Sequence, residues 1–189
     1  MKTEQFALIR VHLCKFVANR IFDAASTSVY ISVMERTLLI LKPDAVQRHL
    51  IGEILARFEK RGMQIVGMKL MRITPAIAEV HYEAHKGKPF YPGLVRFMTS
   101  SPVVVFAVAG KDAITVARKM MGATKAGQAE PGTIRGDFGL SNSFNLIHGS
   151  DSPEAATREL SIFFKPEELL DWKPESQVWS YDMTKGTPE

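Results

Sequence analysis

The sequence predicts one α+β domain of βαββαβ type, a sandwich in which four strands interleave with helices and the helices cover one face of the sheet. Three observations carry that expectation. Strand-like apolar runs occur at residues 37–41, 64–71 and 103–108 and in the short stretch that ends at His148. Segments with apolar residues at helical spacing separate them. The 189 residues, 46% of them hydrophobic, supply one full core and at most a short appendage.

Residues 1–33 read differently from the rest. Phe6, Ile9, Leu13, Phe16 and Val17 fall near one helical face, with Arg10, Lys15 and Arg20 elsewhere. Arg10, His12 and Lys15 interrupt the apolar stretch a secretory signal needs, and Glu4 and Asp23 are foreign to an organelle transit peptide. The segment is an extension or leader of open role, with Met34 as an alternative start and targeting as the other reading.

From Glu35 the pattern is regular. The run 37–41 (Thr-Leu-Leu-Ile-Leu) fits a strand buried on both faces, ended by Lys42-Pro43-Asp44. Ile51, Ile54, Leu55 and Phe58 then recur at helical spacing, and Arg61-Gly62 supplies the cation and glycine of a helix end. After the strand at 64–71, Thr74 caps and Pro75 opens a helix expected to run through Tyr82 to about His85. A short amphipathic helix follows at 90–98. The run 103–108 is a buried strand ended by Gly110, and 113–121 is a helix that stops at Gly122. Residues 123–142 read as a long irregular loop, a length that in compact domains marks function or disorder. The strand to His148, a helix at 153–163 and a polar arm carrying Trp172, Trp179 and Tyr181 complete the chain.

Composition narrows the function. No run of about 18 uncharged apolar residues occurs, so no membrane-spanning helix is expected. The single cysteine, Cys14, excludes an intramolecular disulfide framework and a cysteine metal cluster. The net charge is +4, of which residues 1–33 supply +2 (Lys2, Arg10, Lys15 and Arg20 against Glu4 and Asp23). What remains is too weakly basic to argue for nucleic acid.

The chemistry gathers around Asn145-Leu146-Ile147-His148-Gly149-Ser150-Asp151. An apolar run delivers His148 to a strand-to-helix corner, where the strand fixes the ring and Gly149 is expected to leave space for a ligand. A neutral imidazole is a nucleophile able to accept a phosphoryl group; the alternative is a histidine that only packs. Phosphoryl transfer rests on alignment and positive electrostatics. Lys42 after the first strand, Arg118 in the last turns of a helix and Arg135 in the long loop are candidate cations, each otherwise a solvated surface charge. Glu159, eleven residues after His148, could orient the imidazole and favour its reactive tautomer, or could be a helix-surface carboxylate. Asp151 and Ser152 are equally well helix caps. Phe90 either packs in the core or offers a stacking face. His12, His49, His81 and His85 have no motif behind them and are expected at the surface.

Three separated motifs in order, Lys42-Pro43-Asp44, residues 131–138 (Pro-Gly-Thr-Ile-Arg-Gly-Asp-Phe) and Asn145-x-x-His148-Gly149-Ser150-Asp151, closely resemble the nucleoside diphosphate kinase family. The likeness runs from about Glu35 to Asp182, making 34–182 the domain and 183–189 a tail. The resemblance implies a ferredoxin-like fold with a four-stranded antiparallel sheet and a ping-pong reaction through a phosphohistidine. It casts His148 as nucleophile and Lys42 as contact to the transferred phosphate and the ribose. Arg118, Thr124 and Arg135 would hold phosphates, Asn145 the sugar hydroxyl, and Phe90 the base. Tyr82 would order Lys42, and Ser150 and Glu159 would steady the histidine. Substrates would be ATP and other nucleoside tri- and diphosphates, with little base discrimination, and Mg2+ would arrive on the nucleotide. Cytoplasmic location and a homo-oligomer, hexamer before tetramer, are further implications, the latter from the aromatic C-terminal arm.

The chain departs from the family pattern at Ala126-Gly127, where a proline two residues after the phosphate-binding threonine is common, and at Asn142, where many members place an aliphatic residue beside the base. Two rival readings predict other features. A nucleic-acid-binding module calls for exposed aromatics on strands, and these strands are aliphatic. An inactive assembly platform calls for loss of the histidine or its arginines, and those positions are filled.

Overall fold

A computed structural model describes residues 34–182, 184 and 188–189; the expectations for residues 1–33 and for most of the tail lie outside them. Four strands, β1 (Glu35–Leu41), β2 (Gln64–Met71), β3 (Val103–Gly110) and β4 (Ile147–Gly149), form one sheet in the order β2-β3-β1-β4. Every pairing is antiparallel, with Leu38 opposite Ala107 and Ile40 opposite both Val105 and His148. The helices are α1 (Pro43–Gln47), α2 (Ile51–Lys60), α3 (Pro75–His81), α4 (Tyr91–Thr99), α5 (Ala113–Met121), α6 (Ile134–Phe138) and α7 (Pro153–Phe163), joined by short 3-10 turns. This is the antiparallel α+β sandwich predicted, with three local signals behind its helix starts. Thr74, Thr133 and Ser152 each accept a hydrogen bond from a backbone N–H three residues on, capping α3, α6 and α7.

Helices cover both faces of the sheet rather than one. Leu38, Ile40, Val103 and Val105 pack with Ala78 of α3, Met98 of α4 and Phe163 of α7. Their strand neighbours Leu39, Leu41, Val104 and Phe106 point the other way, onto Ile54 and Phe58 of α2 and Ala117 and Met121 of α5. All eight residues of β3 are buried, which requires a cover on each side. The expected arrangement put the helices on one face; α2 and α5 cover one side, and α3, α4 and α7 close the other.

The long loop is also more ordered than expected. Residues 123–142 contain a 3-10 turn at Ala126–Gln128 and helix α6. Beyond α7 the arm folds back along β2: Leu170 N–H donates to the Val66 carbonyl (2.7 Å), Trp172 Nε1 to the Ile65 carbonyl (3.2 Å), and Arg36 pairs with Asp171. Gly67 permits that approach, because a Cβ there would lie 2.9 Å from the Glu168 carbonyl.

Candidate active site

β4 is only three residues long, yet its placement is fixed from several directions. Leu146, fully buried just before it, has φ +69°, a conformation costing a non-glycine residue about 1–3 kcal/mol. Three hydrogen bonds hold it: Leu146 N–H to Asp44 Oδ2 (3.0 Å), Lys42 N–H to the Leu146 carbonyl (2.8 Å) and Ile147 N–H to the Asn145 carbonyl (2.8 Å). The Lys-Pro-Asp turn after β1 thus fastens the approach to His148.

His148 is half-buried, and its Nε2 lies 2.9 Å from Glu159 Oε2 on α7. The Ser150 hydroxyl donates to the same oxygen at 2.7 Å. Burial would raise the Glu159 carboxyl, but the hydrogen bonds from His148 and Ser150 and the imidazole charges outweigh it and leave the pKa below its ordinary value. An ionised Glu159 can only accept. The proton between the pair therefore sits on His148 Nε2, and in the neutral ring that tautomer leaves the lone pair on Nδ1.

Above the ring opens a cleft of about 1200 Å³, lined among others by Lys42, Tyr82, Phe90, Arg118, Thr124 and Arg135. Asn145, Asn142 and Phe144 also border it. Lys42 is nine-tenths buried, and its Nζ donates to Asn145 Oδ1 at 2.6 Å. Burial, with Arg135 adding repulsion and Asp44 partly opposing, lowers its pKa to about 8. Arg135, expected as a loop arginine, is 5% exposed because α6 buries it. It donates to three carbonyls, from Nε to Asn145 (3.2 Å), Nη1 to Gly122 (2.8 Å) and Nη2 to Ile147 (2.6 Å), which leaves two of its five N–H groups for a ligand. Burial and the nearby Arg118 lower its pKa to about 10. Arg118 is exposed and donates weakly to the Gly149 carbonyl (3.3 Å). Phe90 stands 54% exposed at the cleft mouth.

Several expectations need correction. Tyr82 lines the cleft but makes no bond to Lys42; its hydroxyl is buried without a partner, and Asn145 holds the ammonium instead. The Asn145 carboxamide is committed at both ends, since its Nδ2 donates to the Thr124 carbonyl (2.9 Å). Gly149 does not open space for a ligand: a Cβ there would meet Met121 Sδ at 2.7 Å and Leu39 Cδ2 at 2.8 Å, so the room belongs to the core. His81, expected at the surface, is 5% exposed, with its ring edge-on to that of His148 at 4.7 Å. The spacing of Ala78, His81 and Tyr82, one buried face of α3, carries that information in the sequence. Nothing in the sequence pairs Asp44 with Leu146.

A carboxylate-backed imidazole below a cleft of buried cations, on a βαββαβ sheet, defines a phosphotransferase. The model of the nucleoside diphosphate kinase family matches residues 35–169. The chain is 56% identical over 149 residues to a nucleoside diphosphate kinase of Carboxydothermus hydrogenoformans, spanning 79% of this chain and all of that one. It is 52% identical over the same length and coverage to one from a Synechococcus strain. Among solved structures, a halophilic nucleoside diphosphate kinase from Halobacterium salinarum, in complex with CDP, superposes with a TM-score of 0.78 at 48% identity, covering 79% of this chain and 99% of that one. A Babesia bovis protein of the same family gives 0.76 at 42%, covering 78% and 100%. The chain belongs to the nucleoside diphosphate kinase family, and its sheet is the ferredoxin-like one of that family.

Proposed function

We propose that this phosphotransferase, which moves the γ-phosphoryl group of a nucleoside triphosphate to a nucleoside diphosphate, does so in two half-reactions through a phosphohistidine at His148. The observation that carries the proposal is the 2.9 Å contact of His148 Nε2 with Glu159 beneath the cationic cleft. With Nε2 protonated, the Nδ1 lone pair attacks the γ-phosphorus. The N–P bond forms as the bond to the β,γ-bridging oxygen breaks, and the diphosphate leaves. The charge gained by the imidazole is balanced by Glu159, which Ser150 keeps in place. In the second half-reaction a terminal oxygen of the acceptor diphosphate attacks the same phosphorus and restores the neutral ring.

Lys42, Arg118, Thr124 and the two unused Arg135 donors are assigned to the phosphates, where guanidinium and ammonium groups form charge-assisted bonds. Asn145 is assigned to the sugar hydroxyl through the Lys42 pair, and Phe90 to the base, by stacking that every base satisfies. Tyr82 is assigned to shaping the wall beside His148, its ring 6.4 Å from the imidazole. The cleft offers Mg2+ no preformed carboxylate cage: Asp44 is bonded to Leu146, and Asp151 lines the rim. The residues fit an ion that would be carried by the nucleotide phosphates, for which Asp151 is the carboxylate available at the rim. When bound, that ion supplies charge neutralisation at the phosphates.

We assign the working form to a cytoplasmic homo-oligomer, hexamer in preference to tetramer. Exposed Leu170, Trp172 and Trp179 on the arm, and Met68 and Leu70 on edge strand β2, support burial against another copy. Light scattering of the purified protein distinguishes six chains from four.

The deciding experiment is incubation with γ-labelled ATP, removal of nucleotide, then addition of mixed nucleoside diphosphates, for wild type and His148→Ala. An acid-labile protein label, present only in wild type and discharged onto several diphosphates, is the expected outcome. Transfer that survives His148→Ala overturns the assignment of the nucleophile.

A further inference from the structure

Behind the imidazole lies His81, a buried side chain the phosphoryl transfer does not use. His81, His148 and Glu159 each place a ligand-type atom so that all three lie within 4.8 Å of one another. His81 is 5% exposed, and both its ring nitrogens are buried without a hydrogen-bond partner. Its Nδ1 lies 3.9 Å from Glu159 Oε1, while Glu159 Oε2 takes the bond from His148 Nε2. A buried imidazole with two unsatisfied nitrogens, aimed at a carboxylate and a second imidazole, is a donor set short of an acceptor of lone pairs.

We propose that His81, His148 and Glu159 form a site for a borderline transition-metal dication, Zn2+ being the type case, and that its occupancy switches the enzyme off. Two imidazole nitrogens and one carboxylate oxygen with a water completing the tetrahedron is a donor set zinc takes, and one that magnesium, which demands an octahedron of oxygens, does not. Metal–ligand bonds of about 2.0–2.1 Å bring tetrahedral donors to roughly 3.3 Å from one another, so the cluster closes by roughly 1.5 Å at most.

The inhibitory consequence rests on the proposed role of His148. A dication on Nε2 takes the place of the proton there. The neutral ring carries one proton, which then resides on Nδ1. The lone pair that attacks phosphorus is gone, and Glu159 is withdrawn from the ring. The Nε2–H bond is lost and an Nδ1–H bond is formed by proton exchange with solvent, so the ring keeps one proton, and removal of the metal restores the original tautomer.

The test uses Co2+ as a spectroscopic stand-in and Zn2+ as competitor, on the full chain without nucleotide. Wild type is expected to show the intense visible bands of tetrahedral Co2+, lost on addition of one equivalent of Zn2+. His81→Phe, which keeps an aromatic ring against Phe163 and Tyr82, is expected to bind either ion on the order of 100-fold more weakly. Its transfer rate with magnesium and a chelator should match wild type, while Zn2+ at concentrations that silence wild type leaves it active. His81→Gln serves as the second variant if His81→Phe misfolds by circular dichroism. Octahedral Co2+ in wild type, or equal Zn2+ affinity in wild type and the His81 variants, overturns the site. Tetrahedral binding without inhibition leaves the site standing and overturns the switch. Because the spectra need no phosphoryl transfer, failure of the phosphohistidine reading shows in the labelling experiment and not here.

Discussion

The Lys42 ammonium and the Asn145 carboxamide, 103 residues apart in the chain, meet at 2.6 Å in the floor of the cleft. That bond joins the turn after β1 to the approach of β4, and the same carboxamide ties the Thr124 loop at 2.9 Å. One side chain thus holds a cation and a loop in register with His148.

Replacing Asn145 by alanine should therefore act on structure and on binding together. Loss of two hydrogen bonds around a buried ammonium is expected to cost about 2–3 kcal/mol of stability. The loss should be largest without ligand and shrink when nucleotide supplies the missing acceptor. Thermal denaturation with and without nucleoside diphosphate reads both numbers; an equal loss in the two conditions contradicts the account.

The lowered pKa of Lys42 makes nucleotide binding pH-dependent. The folded group titrates at about 8, below the 10.5 of an unhindered lysine, so between those values the unfolded chain binds more protons. Its contribution to stability accordingly rises as pH goes from about 8 towards 10.5, while the cation that meets phosphate is lost. An arriving phosphate raises the pKa again, so binding near pH 9 is expected to take up a proton. Calorimetry in two buffers of different ionisation enthalpy measures that uptake, and Lys42→Met should abolish it.

His81 has the opposite working range. Burial, with the charges of His148, Arg158 and Lys42 adding to it against Glu159, lowers its pKa to about 3. Between about 3 and 6.5 the unfolded chain again binds the extra proton, so stability falls as pH drops through 6.5. Relative to wild type, His81→Phe is expected to gain on the order of 2 kcal/mol at pH 5 over its difference at pH 8. Urea titrations at the two pH values decide it.

Glu159→Gln keeps the volume but removes the ionised acceptor that holds the proton on Nε2. The turnover number is expected to fall roughly 10–100-fold with KM little changed, because the carboxylate is screened from the cleft behind the ring. A change confined to KM would contradict its orienting role.

Gly149→Ala should destabilise by about 1–3 kcal/mol, since the added Cβ overlaps Met121 and Leu39. Combining it with Met121→Ala is expected to recover part of the loss, a coupling that denaturation of the single and double variants measures.

The sheet was legible because its strands are near-continuous apolar runs bounded by Pro and Gly, and α3, α5 and α7 because caps and helical spacing agree with one another. Helix α6 was not: Ile134–Phe138 is too short to show a period, and its formation depends on Arg135 finding three carbonyls brought from elsewhere. His81 was misplaced because it was weighed as a lone imidazole, although its spacing from Ala78 and Tyr82 sets it on the buried face of α3. The single-faced cover was misjudged because α4 and α7 reach the sheet only by tertiary docking.

By itself the sequence determined the strand order along the chain, the presence of one histidine at a strand-to-helix corner, and the cations and carboxylate that phosphoryl chemistry needs, since these follow from local patterns and side-chain chemistry. Tertiary structure alone decided which of those groups touch. Asp44 pins Leu146, Asn145 rather than Tyr82 holds Lys42, and His81 backs His148. Each of these contacts closes a loop between elements distant in sequence or packs a face against its neighbour, and the geometry of such meetings is set by the packing of the whole sheet and its helices, which no local pattern encodes.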